Sequence, residues 1–82
     1  MEKELGGKGF EEIIYQKLNL FIESLGDYQM EGLYHMVMEM VERPLIQAVL
    51  KKTKGNQSQA AKLLGINRNT LAKKIKKLKV KG

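Results

Sequence analysis

Arg68, Asn69, Thr70, Lys73, Lys74 and Lys77 all fall within the ten residues RNTLAKKIKK. Their types suit contact with a polyanion and with the edges of its bases. An arginine fork donates two parallel hydrogen bonds to guanine, an asparagine amide pairs with adenine, and a threonine methyl meets the thymine methyl. Lysine is a mobile point charge and fits phosphate better than a base edge. Leu71, Ile75 and Leu78 recur between them at spacings of four and three, which predicts a helix with one apolar side. A helix of that width enters the DNA major groove, with its first turn nearest the base edges.

Upstream, GNQSQAAKLLGIN supplies the unit that positions this helix. Asn56 is an expected N-cap for a short helix over Gln57 to Leu64, and Asn67 an expected N-cap for the next, Arg68 to Leu78. Between them Gly65 can take the positive φ that a chain reversal needs. Ala61 is small enough to let the two helices approach, and Leu64, Ile66, Leu71 and Ile75 are expected to fill the angle between them. Helix, glycine turn and helix make a helix-turn-helix. Asn56, Gln57 and Ser58 add amide and hydroxyl donors that can meet phosphate. The tail from Lys79 to Gly82 is expected to fray.

The charge pattern agrees. From Met1 to Glu42 nine acidic residues face three lysines, a balance of −6; from Arg43 to Gly82 there are twelve basic residues and no acid, giving +12 and the overall +6. Charge segregated this way points to a polyanionic partner for the C-terminal part. Two other readings of the basic surface stay open: docking on an acidic protein, and a basic helix lying on anionic lipid. The narrow Leu71, Ile75, Leu78 stripe weighs against the second.

The remaining chain is expected to carry this unit and pair it. Met1 to Gly9 reads as a flexible lead-in. Phe10, Ile13, Ile14, Leu18, Phe21, Ile22 and Leu25 give a first helix from Phe10 to Leu25, with Gly26 as its C-cap. A second helix is predicted from Met30 or Glu31 to about Thr53, kinked near Val41 to Pro44, with two short helices divided at the proline as the alternative. Its apolar positions are too many for one buried stripe. In a chain of 82 residues the surplus implies a second copy, hence a homodimer whose four-helix core comes from residues 10–54, with Ile14, Leu18, Phe21, Leu33, Val37, Val41 and Leu45 at the interface. The fold class is all-α, four helices per protomer, with residues 56–78 as the helix-turn-helix.

Other chemistries find little support. There is no cysteine and a single histidine, so neither a disulfide nor a Cys/His metal centre is expected, and no cofactor or metal is implied. No GxxxxGK loop is present, no catalytic set surrounds His35, and an enzyme is not expected. The methionines Met30, Met36, Met38 and Met40 and the tyrosines Tyr15, Tyr28 and Tyr34 read as packing residues. No apolar run is long enough to span a bilayer, and a cytoplasmic, nucleoid-associated location is expected.

GNQSQAAKLLGINRNTLAKKIKKL resembles the C-terminal helix-turn-helix of bacterial Fis proteins and of the DNA-binding domains that end NtrC-type, sigma-54-dependent activators. The likeness extends back through ERPLIQAVLKKTKGN, Pro44 included, and more loosely to the first helix. It implies four-helix protomers that dimerise through their first two helices and bind imperfect inverted repeats in double-stranded DNA. The contacts it implies are Asn56, Ser58, Asn67, Arg68, Thr70, Lys73 and Lys74. Ser58 stands where Fis has threonine, Asn69 replaces a glycine, and Ala72 replaces an arginine that touches DNA, so one contact is lost. The lead-in is too short and glycine-rich for the β-hairpin arm with which Fis stimulates site-specific recombination. The chain is therefore expected to be an NtrC-type DNA-binding domain, with further regulator domains in a longer protein; the alternative is a stand-alone Fis-like nucleoid protein that binds and bends DNA with loose specificity.

Overall fold

The computed structural model describes residues 8–27 and 31–80. They form four helices in chain order, α1 (Lys8–Ser24), α2 (Leu33–Lys52), α3 (Gln57–Leu64) and α4 (Arg68–Leu78), with no strand among the described residues. The architecture is all-α, as the periodicity implies. The chain divides into two units, Met1–Glu31 and Gly32–Gly82.

In the first unit α1 starts at Lys8, two residues before the expected Phe10, so Gly9 lies within the helix rather than in a lead-in. The rest of that lead-in, with Tyr28 and Met30, lies outside the described residues. Gly26 closes the turn after α1 at φ +58°, its N–H donating to the Glu23 carbonyl at 3.1 Å. Ile14, Leu18, Phe21 and Leu25 are half-buried, while Phe10, Ile13, Tyr15, Leu20 and Ile22 are exposed.

The second unit holds the core. Ile46 and Leu50 of α2, Ala60 and Ala61 of α3, and Leu71 and Leu78 of α4 are buried together, with Val49, Leu64, Ile66, Ile75 and Val80 packed against them. Two alanines at the centre let α3 sit close to its neighbours, because interior packing leaves no room for longer side chains there. α2 begins at Leu33, later than the expected Met30 or Glu31. Gly32 takes a left-handed conformation (φ 81°, ψ 22°) just before it, and that conformation cannot propagate a helix. Pro44 lies inside α2, which runs through it as one element.

All three helix ends in this unit close the same way. After α3, the Gly65 N–H donates to the Lys62 carbonyl at 3.2 Å and to that of Ala61 at 2.8 Å, and the Ile66 N–H donates to the Ala61 carbonyl at 3.0 Å. This is a Schellman closure, with Gly65 at φ 78° and Ile66 folded back onto the core. After α2 the pair is Lys54 and Gly55, and after α4 it is Lys79 and Val80. Val80 reaches the Ile75 carbonyl at 3.0 Å and packs on the core, so the expected fraying at Lys79 and Val80 is corrected: an apolar side chain two residues past the helix secures the end. Residues 81 and 82 lie outside the described residues.

Candidate nucleic-acid interface

α3, the Gly65 turn and α4 form the helix-turn-helix, and its capping chemistry places the polar residues. The Asn56 side-chain oxygen accepts from the Gln59 N–H at 3.0 Å, and that of Asn67 accepts from the Asn69 N–H at 2.7 Å. Each cap satisfies one free amide of its helix through the oxygen and leaves the side-chain NH2 to serve as a donor. Asn56, Ser58 and Asn67 are exposed; Gln57 is half-buried.

On α4, Leu71 is fully buried and Leu78 nearly so, which fixes the helix by one side. At about 100° per residue, Asn69 and Lys73 lie nearly opposite that side, and Arg68 and Thr70 flank it at the helix start. All four are exposed. The exposed part of the first turn therefore carries an arginine fork, an amide and a hydroxyl with a methyl, and the next turn carries a lysine.

Lys74 and Lys77 are placed differently from the other cations. The Lys74 ammonium donates to a Glu42 carboxylate oxygen at 2.8 Å, and both side chains are only 35% exposed. Lys77 is more exposed and lies 3.9 Å from Glu39. Sequence reasoning put Lys74 on the open face; instead it is half-buried and turned toward α2. Glu39 also takes His35 Nε2 at 3.0 Å and the Arg43 guanidinium at 3.9 Å, and Arg43 Nε donates to the Leu78 carbonyl at 3.3 Å. These residues were not anticipated as part of the site. The available signal was the matched spacing of Glu39 and Glu42 with Lys74 and Lys77, three residues apart in both pairs.

The expected interface residues of α2 divide by exposure. Leu33 and Val37 are half-buried, while Val41 is 42% and Leu45 48% exposed, beside exposed Met38, Met40 and Tyr34. Met38, Met40, Tyr15 and Tyr34, read from sequence as packing residues, are exposed in this chain, the two tyrosines most; Met36 is half-buried. His35 is a surface residue. Among the described residues no cluster of side chains suits a metal ion, and no helix is long and apolar enough to cross a membrane.

Residues 37–78, from within α2 to the end of α4, match the model of the bacterial regulatory protein family described as the Fis family. The chain is similar to the DNA-binding protein Fis of Histophilus somni (strain 2336), 36% identical over 76 residues that make up 93% of this chain and 78% of that protein. It is 37% identical to that of Pasteurella multocida (strain Pm70) over 76 residues, 93% and 77% of the two chains. To that of Buchnera aphidicola subsp. Acyrthosiphon pisum (strain 5A) it is 38% identical over 66 residues, 80% and 67%. The chain belongs to the Fis family of bacterial regulatory proteins.

Proposed function

We propose that this chain binds double-stranded DNA, with α4 in the major groove. Arg68, Asn69 and Thr70 reach base edges; Lys73, Lys77, Asn56, Gln57, Ser58 and Asn67 face the phosphates that flank them. The observation that carries this reading is the geometry of α4: one side locked into the core by Leu71 and Leu78, the opposite side exposed and free of acid. The role is one of binding, not catalysis.

The active species in this proposal is a homodimer. Val41, Leu45, Met38 and Tyr34 leave an apolar surface on α2 that one protomer does not cover, and α1 separately exposes Phe10, Ile13, Leu20 and Ile22. Patches of this kind on a small chain mark association sites. A two-fold pair of recognition helices reads an inverted repeat, with half-sites about one helical turn apart.

Of the two subclasses suggested by the sequence, the relatives favour the second. They are proteins named DNA-binding protein Fis, and the match extends over about four-fifths of the length of the two that align over 76 residues. A Fis-like nucleoid protein that binds and bends DNA with loose specificity is therefore preferred over the DNA-binding domain of an NtrC-type activator.

A duplex titration at several salt concentrations tests the proposal. A dimer making about ten phosphate contacts loses affinity with a log–log slope near −9. Negligible binding to duplex at low salt would refute it and leave the basic face to a protein partner. Genome-wide footprinting separates the subclasses: dense weak coverage fits the nucleoid protein, and a few strong sites fit the activator domain.

A further inference from the structure

α4 is tied to α2 by an antiparallel ionic ladder, of which the DNA-binding reading uses only Lys77. Stepping forward on α4 from Lys74 to Lys77 matches stepping back on α2 from Glu42 to Glu39. Arg43 extends the ladder by donating to the Leu78 carbonyl at the end of α4. A cleft of about 230 Å³ lies along it, lined by Leu78, Met38 and the four residues of the two rungs.

The rungs are unequal. Lys77 to Glu39 is long at 3.9 Å, and 67% of the Lys77 side chain is exposed, so solvent screens it. Lys74 to Glu42 is short at 2.8 Å between two side chains that are each about two-thirds covered. A charge-assisted bond of that length fixes geometry as well as adding attraction.

We propose that Glu42 is a positioning residue: by holding Lys74 it sets how α4 lies on α2, and Lys74 is a brace and not a phosphate contact. The inference rests on the DNA-binding reading above. The turn at Gly65 fixes the start of α4, and the brace fixes its far half. α4 has 11 residues, so it is roughly 16 Å long, and a swing of about 10° moves its end by roughly 3 Å. Flexible lysines follow such a change and keep their phosphates. Arg68 stands at the pivot, so its Cα moves little, but its side chain turns with the helix by the same angle, and a bidentate fork at a base edge tolerates little misalignment. Loss of the brace therefore lowers discrimination between sites more than it lowers binding as such. Lys74 also has its counter-ion in place already, so it releases none from DNA.

The experiment compares the wild-type chain with Glu42→Gln, Lys74→Gln, the double variant and Lys74→Arg. Affinities are measured for a duplex selected from a random pool and for an unselected duplex, across a salt series, with the helical melting curve recorded for each protein. Glu42→Gln and Lys74→Gln are each expected to lose roughly two- to fivefold in discrimination, the scale of a partly exposed ion pair. The double variant should lose no more than either single one, since both act through one bond. Lys74→Arg should retain discrimination. The salt slope on unselected duplex should not change in Lys74→Gln. A slope flatter by about one unit per protomer, with selected and unselected duplex weakened alike, would make Lys74 a phosphate contact and overturn the inference. Additive losses in the double variant would overturn it too. If the wild-type chain bound no duplex at all, the DNA-binding reading would fall first, and this inference with it.

Discussion

Gly65 is the residue whose replacement isolates the turn from everything around it. It sits at φ 78°, ψ 28°, between α3 and α4. A Cβ built there meets nothing within 4 Å, so Gly65→Ala creates no clash and its effect is one of backbone conformation alone. An L-residue in the left-handed region costs about 1–2 kcal/mol. Alanine recovers part of this by restricting the unfolded chain, about 0.4–1 kcal/mol. The net expectation is a loss of about 1 kcal/mol, or a fall in Tm of about 4–8 °C for a domain of this size. Gly65→Asn should lose less, because asparagine visits that region readily. The chain contains its own converse: Lys79 ends α4 at φ 57°, so Lys79→Gly should stabilise by a similar amount once salt screens the lost charge. Denaturant unfolding measures all three, with unchanged m-values expected because the same surface is exposed on unfolding. A loss above about 3 kcal/mol in Gly65→Ala would mean that the space around the turn is closed. No loss at all would mean that the turn is not held in this conformation. Either result refutes the reasoning.

Leu71→Ala empties the centre of the core, since Leu71 is fully buried between the three helices, and should destabilise by about 3 kcal/mol in the same unfolding assay. Arg68→Ala should reduce discrimination between selected and random duplex by roughly 1–3 kcal/mol, whereas Lys73→Ala should weaken both similarly and flatten the salt slope by about one unit. Equal losses on the two duplexes for Arg68→Ala would remove its role at a base edge. Val41→Glu should shift sedimentation of the proposed dimer toward monomer, because it puts a charge into the exposed apolar surface of α2; a dimer unchanged by it would refute the placement of the interface on α2.

The helix-turn-helix was readable in the sequence almost to the residue, because each of its boundaries is set by local chemistry. Asn56 and Asn67 cap through their own side chains, and Gly65 takes the one conformation that glycine takes cheaply. The start of α2 was less legible. Apolar residues continue upstream of it, and only the backbone at Gly32 decides that the helix begins at Leu33. The end of α4 misled for a related reason: Lys79 and Val80 look like a loose basic tail, but an apolar residue in the right place after a helix turns back to the core. Lys74 could not be placed from its own helix at all. A helical wheel sets it at the border of the buried stripe, and only the neighbouring helix, with Glu42 at the matching height, decides which way it points.

The lysine density of α4 can be explained within a single chain. Lys73, Lys74, Lys76 and Lys77 would repel one another on a free helix, where like charges one turn apart are destabilising. Three features of the fold offset this. The core contacts of Leu71 and Leu78 keep the helix packed against the repulsion of its surface charges. Lys76 and Lys77 occupy the last turn, where the helix dipole favours cations. Glu42 neutralises Lys74 directly, and Glu39 partly offsets Lys77. The acidic residues of the chain end at Glu42, and on α2 they stand on the side that meets α4. The charge segregation in the sequence is thus not a simple division into an acidic half and a basic half. Two of the acids sit against the back of the basic helix and reduce its self-repulsion there, while Arg68, Lys73 and the exposed donors of the first turn have no acid beside them in the exposed face of α4.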